Sequence, residues 1–356
     1  MSEDFSGTMP VRDKHQFDVE ALQSYLSETV DGFAGPLTVE QFKGGQSNPT
    51  YKLITPTRNY VLRRKPPGKL LKSAHAVDRE YRVITALADT NVPVAKTYCL
   101  CEDDSVIGTA FYVMDCVEGR IFWDPSLPDL SAEDRAAIYD DKNRVIAELH
   151  KLDPAALGLA DYGSSGNYFE RQIGRWSKQY LSSAAQRIPA MDRLIAWLPE
   201  NIPPGDETRI VHGDYRLDNM IFHPSENRVI AVLDWELSTL GHPLADFSYH
   251  CMTWRMPPAG KMRGLAGQDL AALNIPSEQS YVARYAERTG FTMPGPDVWD
   301  FCMAYNFFRL AGIAHGILGR VQDGTAANKQ AEAIGRMAFP LADMAWKLVE
   351  SIQARA

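Results

Sequence analysis

The sequence predicts an α+β chain of two lobes, a small antiparallel β-sheet with one helix against it and then a mostly helical remainder. Three observations carry that expectation. The first 115 residues break into short β-like runs separated by turn signals. Beyond Glu118-Gly119, apolar residues recur at helical spacing instead. The 356 residues, 45% hydrophobic and 23% charged, suffice for two buried cores in an ordinary globular protein. The expected lobes are residues 1–115 and 116–356.

Leu37–Phe42, Thr50–Thr55 and Tyr60–Arg64 read as strands rich in aromatic and aliphatic residues. Lys43-Gly44-Gly45-Gln46-Ser47-Asn48-Pro49 joins the first two, and Pro56-Thr57-Arg58-Asn59 the next two. A helix over Ala76–Ala88 carries Val77, Tyr81, Ile84 and Leu87 on one stripe. Val94–Cys101 and Ala110–Met114 complete the sheet. In the second lobe Ser131 caps a helix, with Asp134 three residues on and Ile138, Val145, Leu149 and Leu152 along one face. Helical patterns occupy parts of 166–198, 277–290, 298–318 and 325–353. They surround a β-like island at Arg209–Val211, Met220–Phe222 and Val229–Leu233.

Composition excludes several classes. Thirty-seven Lys+Arg against 45 Asp+Glu give a net charge of −8, opposite to the basic balance that phosphate-backbone binding needs, so no nucleic-acid partner is expected. No run approaches the ~20 apolar residues that span a bilayer. The polar start MSEDFSGTMPVRDKHQF lacks a signal-peptide core. Five scattered cysteines, Cys99, Cys101, Cys116, Cys251 and Cys302, form neither a zinc pattern nor an even disulfide set. The expectation is a cytoplasmic protein with reduced thiols and no membrane partner.

The chemistry concentrates in Val211-His212-Gly213-Asp214-Tyr215-Arg216-Leu217-Asp218-Asn219-Met220-Ile221-Phe222, followed by Val232-Leu233-Asp234-Trp235-Glu236. A carboxylate, an amide five residues later, and a second carboxylate after a β-turn-β suit metal-assisted phosphoryl transfer. One Asp takes or orients the hydroxyl proton, while Asn and the second Asp hold Mg²⁺ on the phosphates. The expected catalytic residue is Asp214 and the expected metal ligands are Asn219 and Asp234. Asp214 and Asn219 share the spacing of the protein-kinase H-R-D-x-x-x-x-N loop.

HGDYRLDN and LDWE resemble the aminoglycoside phosphotransferase and choline kinase superfamily, over about residues 25 to 350. More narrowly, YVLRRKPPG, DREYRVITAL, HGDYRLDNMIF, LDWELSTLGHPLADFSY and FFRLAGIAHGI look like the kinase-like domain fused ahead of some acyl-CoA dehydrogenases. The resemblance implies a bilobal protein-kinase-like fold with the active site between the lobes. ATP (or GTP) with Mg²⁺ is the implied cofactor, and an acyl-CoA dehydrogenase a candidate partner.

By the same resemblance, His212 packs as a structural support and Asp246, in Gly241-His242-Pro243-Leu244-Ala245-Asp246, braces the catalytic loop. His242 stands where the family has Asp. Glu236 alternates to the face of Asp234 and reads either as an accessory acid or as an ordinary strand-end residue. Glu80 shares the apolar face of its helix, a costly place for a carboxylate without a cation. The resemblance assigns it the partner of a strand-three lysine that grips the phosphates. The sequence puts Arg63 there, and Lys65 on the same side is the reserve. Ser47, in the position of the nucleotide-covering loop, and Asp115 and Val117, at the adenine-facing connector, complete the expected cofactor contacts.

The helical pattern resumes at Pro243, too soon after Trp235 for a peptide-docking segment, so the acceptor is expected to be a small molecule bearing a hydroxyl. From Pro243 to Arg320 six acids face seven bases, which favours an anionic or neutral acceptor over a polycation. Arg309, His315 and Trp254 are candidate substrate-binding residues. A hydroxyacyl-CoA or hydroxy acid leads. The alternatives are an aminoglycoside or other amino alcohol, or a non-catalytic module that binds nucleotide or acyl-CoA beside a dehydrogenase.

Overall fold

Tyr60–Arg64 are buried on both faces of their strand, and this organises the N-terminal sheet. The computed structural model describes residues 7–43, 48–66, 76–260, 263–324 and 331–355. They form two compact units that interleave along the chain. One comprises Met1–Trp123, Ala155–Tyr162 and Leu217–Ser238, and the other Asp124–Pro154, Gly163–Arg216 and Thr239–Ala356. The sequence expectation instead made a single cut at 115/116.

In the first unit the elements are β1 (Thr8–Met9), α1 (Val19–Thr29), β2 (Thr38–Phe42), β3 (Thr50–Ile54), β4 (Asn59–Arg64), α2 (Val77–Leu87), β5 (Thr97–Cys101), α3 (Asp104–Ile107) and β6 (Phe111–Asp115). The sheet is antiparallel, in the order β1-β2-β3-β4-β6-β5. Helix α1 is an addition to the expected single helix. Asp18 caps it by accepting from Ala21 N–H at 2.9 Å. Its Leu22 and Leu26 enter a core with Tyr51, Leu53, Tyr60, Leu62, Phe111 and Val113. Each such leucine contributes roughly 1.5–3 kcal/mol by burial.

Alternation along β4 then sends Tyr60, Leu62 and Arg64 to that core face and Val61 and Arg63 to the opposite one. Arg64 lies with its guanidinium 5.1 Å from the Phe17 ring and donates to Ile107 C=O at 3.1 Å. Strand β5 begins at Thr97, later than expected, because Pro93 C=O already accepts from Val232 N–H at 2.8 Å.

Three later elements complete this unit. A 3₁₀ turn over Leu217–Asn219 leads into β8 (Met220–Phe222), which pairs antiparallel with β9 (Val229–Val232); β7 belongs to the other unit. Gly119 passes so close to Phe222 that a side chain on it would collide with the backbone.

The second unit contains α4 (Ala132–Lys151), α5 (Tyr168–Leu181), α6 (Pro189–Glu200), β7 (Arg209–Val211), β10 (Thr239–Gly241), α7 (Pro243–Cys251), α8 (Leu270–Leu273), α9 (Glu278–Thr289), α10 (Pro296–Gln322), α11 (Ala331–Arg336) and α12 (Ala338–Arg355). Ser131 caps α4 as its sequence suggests, accepting from Asp134 N–H at 3.1 Å. Strand β10, unexpected at three residues, pairs with β7. Helix α10 is apolar nearly all round because it is the core helix, packed by α5, α6, α7, α11 and α12. Among the described residues no helix is long and apolar enough to cross a membrane. The architecture is an α+β fold with an antiparallel N-terminal sheet and a helical C-terminal region.

Candidate active site

In the sheet unit, the face of β4 that carries Arg63 meets the face of α2 that carries Glu80. Arg63 Nε lies 3.1 Å from Glu80 Oε2. Its Nη2 donates to Asp234 Oδ1 at 2.7 Å and to Glu236 Oε2 at 3.4 Å. Glu80 is 1% exposed. Its other contacts come from residues the motif reading missed: Asn48 Nδ2 donates to Oε1 at 2.8 Å and the Tyr112 hydroxyl to Oε2 at 3.0 Å.

Burial works against the Arg63 charge, but Glu80, Tyr112 and Asp234 more than offset it and hold the guanidinium above its ordinary range. Three carboxylates share this one cation, and Glu80 is the deepest of them. Burial raises Glu80 to about 7 despite Arg63, with Asp234 and Glu236 adding to the rise. Lys65 lies 3.8 Å from Asp78 in a half-exposed pair, so Arg63 is the residue that meets Glu80.

The β8–β9 hairpin brings Asn219 and Asp234 to one end. Leu233 N–H donates to Asn219 C=O at 2.8 Å, and the next residue is Asp234. Asp234 adopts a left-handed conformation, φ 63° and ψ 60°, which Asp tolerates better than most side chains. An amide oxygen and two carboxylates are the hard donors that suit Mg²⁺. Asp234 and Glu236 are already drawn onto one cationic atom, Arg63 Nη2, so this donor set fits a cation.

In the helical unit, the loop that carries Asp214 is held through its main chain. Gly213 has φ +83°, which a glycine adopts without strain, and this turns the chain into Asp214. Asp246 Oδ2 accepts from His212 N–H at 2.7 Å and Oδ1 from Gly213 N–H at 2.8 Å. His150 Nε2 stands 3.2 Å from Asp246 Oδ2. Burial would raise the Asp246 pKa, but His150 and His212 outweigh it and the carboxyl titrates below its ordinary range. His212 is fully buried, and its Nδ1 accepts from Asp214 N–H at 3.2 Å. The Asp214 carboxylate accepts from the Tyr249 hydroxyl at 2.5 Å and lies 3.1 Å from Arg216 Nε.

His242 caps helix α7 with its ring. Its Nδ1 accepts from Leu244 N–H at 3.2 Å at the start of α7, ahead of Pro243. That acceptor role requires a neutral ring. Burial lowers the His242 pKa to about 4, against a raising influence from Asp206.

The candidate acceptor residues have other duties. Arg309 is buried; it donates to Gly213 C=O at 2.8 Å and lies 5.1 Å from the Tyr249 ring, so it supports the loop instead of lining a free surface. His315 is fully buried, its Nε2 2.9 Å from Gln186 C=O and its ring against Tyr180. Trp254 is buried and donates to Pro276 C=O at 2.8 Å, packed on Tyr281 and Tyr139.

The basic excess after Pro243 is also largely spent. Arg255 pairs with Glu278 and Asp300, Arg263 with Asp124, Arg284 with Glu287, and Arg288 with Asp140. In the sheet unit Asp115 accepts from the Tyr98 hydroxyl at 2.5 Å, and its N–H goes to Lys96 C=O at 2.8 Å. Val117 lies two residues past β6 and is partly exposed. Ser47 lies outside the described residues.

Residues 38–281 match the phosphotransferase enzyme family. The chain is 44% identical to mouse acyl-CoA dehydrogenase family member 10 over 341 residues, 95% of this chain and 32% of that protein. It is 44% identical to mouse acyl-CoA dehydrogenase family member 11 over 348 residues, 96% of this chain and 44% of that protein. It therefore spans a third to under half the length of these relatives. A crystal structure from Ralstonia eutropha, of a protein proposed to be an aminoglycoside phosphotransferase, superposes with TM-score 0.88 at 57% identity, covering 94% of this chain and 99% of that one. The aminoglycoside phosphotransferase APH(4)-Ia, solved with ADP and hygromycin B, shares the fold at TM-score 0.60 and 14% identity, covering 92% of this chain and 98% of that one.

Proposed function

The chain belongs to the phosphotransferase enzyme family, and on that footing we propose that it transfers the terminal phosphoryl group of ATP to a hydroxyl of a small metabolite, a hydroxyacyl-CoA or hydroxy acid. The observation that carries the reading is the Arg63 guanidinium, which joins the helix carboxylate Glu80 to Asp234 and Glu236 at the end of the hairpin. In a kinase-like fold a pair of this kind, a helix carboxylate with a strand cation, holds nucleotide phosphates, and here a guanidinium takes the place of the ammonium.

In this mechanism Asp214 orients the acceptor hydroxyl and takes its proton as the new O–P bond forms. The bond from the terminal phosphorus to its bridging oxygen breaks, and ADP leaves. Asn219 and Asp234 would hold Mg²⁺, which would neutralise charge on the phosphates. Arg63, steadied by Glu80, grips the phosphates. Asp246 and Arg309 keep the loop backbone in the conformation that presents Asp214.

The acyl acceptor is supported by the relatives, which carry acyl-CoA dehydrogenase names beyond the span of this chain. The paired state of the C-terminal arginines removes the charge argument for it. The Ralstonia eutropha structure favours a second reading, an aminoglycoside acceptor. A third reading is the non-catalytic module, to which the departure from lysine at position 63 belongs.

One panel separates the three: wild type and Asp214→Ala with Mg²⁺·ATP and hydroxyacyl-CoAs, hydroxy acids, aminoglycosides or choline. The expected result is phosphorylation of an acyl or acid acceptor by wild type. Asp214→Ala should lose roughly 10²–10⁴-fold in turnover while still binding nucleotide. Turnover of the variant near the wild-type rate refutes the assignment of Asp214. Turnover with aminoglycosides only favours the second reading, and none with any acceptor favours the third.

A further inference from the structure

We propose that Tyr249 is a positioning residue that sets the orientation of the Asp214 carboxylate. This rests on the reading of Asp214 as the group that takes the acceptor's proton. Helix α7 grips the catalytic loop twice. Asp246 holds the backbone N–H groups of His212 and Gly213, and Tyr249, three residues on and so on the same helix face, donates its hydroxyl to Asp214 Oδ1 at 2.5 Å.

The phenol is itself fixed. Tyr249 is 7% exposed, and the Arg309 guanidinium that donates to Gly213 C=O lies 5.1 Å from its ring. Helix α10, which carries Arg309, is tied to α7 by Asn306, whose Nδ2 donates to Ala245 C=O and to Ser248 Oγ, both at 2.9 Å. Tyr249 therefore cannot shift without α7, and α7 cannot shift without the loop. Burial keeps the phenol neutral, well above its ordinary range, so it remains a donor.

Arg216 Nε lies 3.1 Å from the same Oδ1. Arg216 meets that oxygen as an ion pair with no hydrogen bond from Nε, whereas the Tyr249 hydroxyl on α7 makes a directional hydrogen bond to it, and this is the contact that orients the carboxylate. A carboxylate that must meet an acceptor proton loses rate steeply when it rotates, about 10²-fold for a misplacement near 1 Å. Tyr249 acts by preventing that rotation.

The test is Tyr249→Phe, which removes the hydroxyl and keeps the ring under Arg309. Wild type, Tyr249→Phe, Asp214→Ala and the double variant are compared for ATP turnover with water and with the acceptor panel above, for Mg²⁺·ATP affinity by calorimetry, and for Tm. The expected result is a fall in kcat of about tenfold for Tyr249→Phe, with KM for ATP and Tm unchanged. In the Asp214→Ala background, loss of the hydroxyl has no further effect, because it works only through that carboxylate.

Unchanged kcat overturns the proposal. So does a parallel loss of kcat, nucleotide affinity and Tm, which marks Tyr249 as core packing, or an equal effect in both backgrounds. A wild-type protein that turns over no ATP overturns the kinase reading, and this inference with it. A wild type that turns over while Tyr249→Phe matches it overturns the inference alone.

Discussion

Two carboxylates of this protein, Asp246 in the helical unit and Asp234 in the sheet unit, are both held in short contacts but by different means. Asp246 is 3% exposed and takes two backbone N–H groups, with His150 as a third partner. Asp234 is about a third exposed at its side chain and takes the guanidinium of Arg63. Backbone donors cannot withdraw without refolding the loop, whereas a side-chain cation exchanges for another one. Asp246 is therefore part of the frame. Asp234 is a charge with a side-chain partner that, under the proposed function, phosphates and a divalent ion would replace. Burial with backbone partners marks the structural acid, and partial exposure with a cationic side chain marks the acid available to a ligand.

That contrast is most easily broken through Asp246. Asp246→Ala strands two buried backbone N–H groups, and unfolding in urea is expected to lose about 3–5 kcal/mol. A loss below about 1 kcal/mol contradicts the frame role.

The same helix start supplies a slightly smaller effect through pH. The folded pKa of His242, about 4, lies below the unfolded value of 6.5, so the fold favours the neutral ring that caps α7. Its contribution is complete above pH 6.5 and is lost as pH falls from 6.5 toward 4, up to about 3 kcal/mol. His242→Asn keeps a cap without a titrating ring, so its stability curve should be flatter across that window; superimposable curves count against the assignment.

The smallest effect tests the exchangeable partner. Asp234→Asn keeps a side chain at ease in the left-handed conformation, so urea stability should hardly move. Mg²⁺-dependent ATP affinity by calorimetry should fall about 10–100-fold, or about 1.4–2.7 kcal/mol. Affinity that survives intact removes Asp234 from the metal site.

The success of the sequence reading depended on whether a residue's environment was local. Val77, Glu80 and Ile84 share a helical stripe, so burial of Glu80 and its need for a cation followed from spacing alone. Tyr112, which faces Arg63 across β4 and β6, required the strand register. Tyr249 sits one turn beyond Asp246, a signal present in the sequence but meaningless until α7 was placed against the loop. Helix α1 escaped notice although Asp18, Leu22 and Leu26 carry a cap and an i,i+4 pair. Without its cover there was no reason for β4 to be buried on both faces. His315 and Trp254 misled for the opposite reason, since polar atoms among aromatics read equally as a ligand site or as a core whose hydrogen bonds are satisfied internally.

The sequence by itself carried the pattern from which the chemistry is proposed: Asp214, Asn219 and Asp234 at fixed spacing, a glycine before the first, and an α+β order of elements. These are covalent spacings and backbone preferences, which survive without any knowledge of packing. Only the tertiary structure decided that Arg63 and not Lys65 meets Glu80, that Arg309 serves the loop and not an acceptor, and that Tyr249 reaches Asp214. Those outcomes depend on which faces of distant elements are pressed together, and burial, not spacing, selects the partner of a charge.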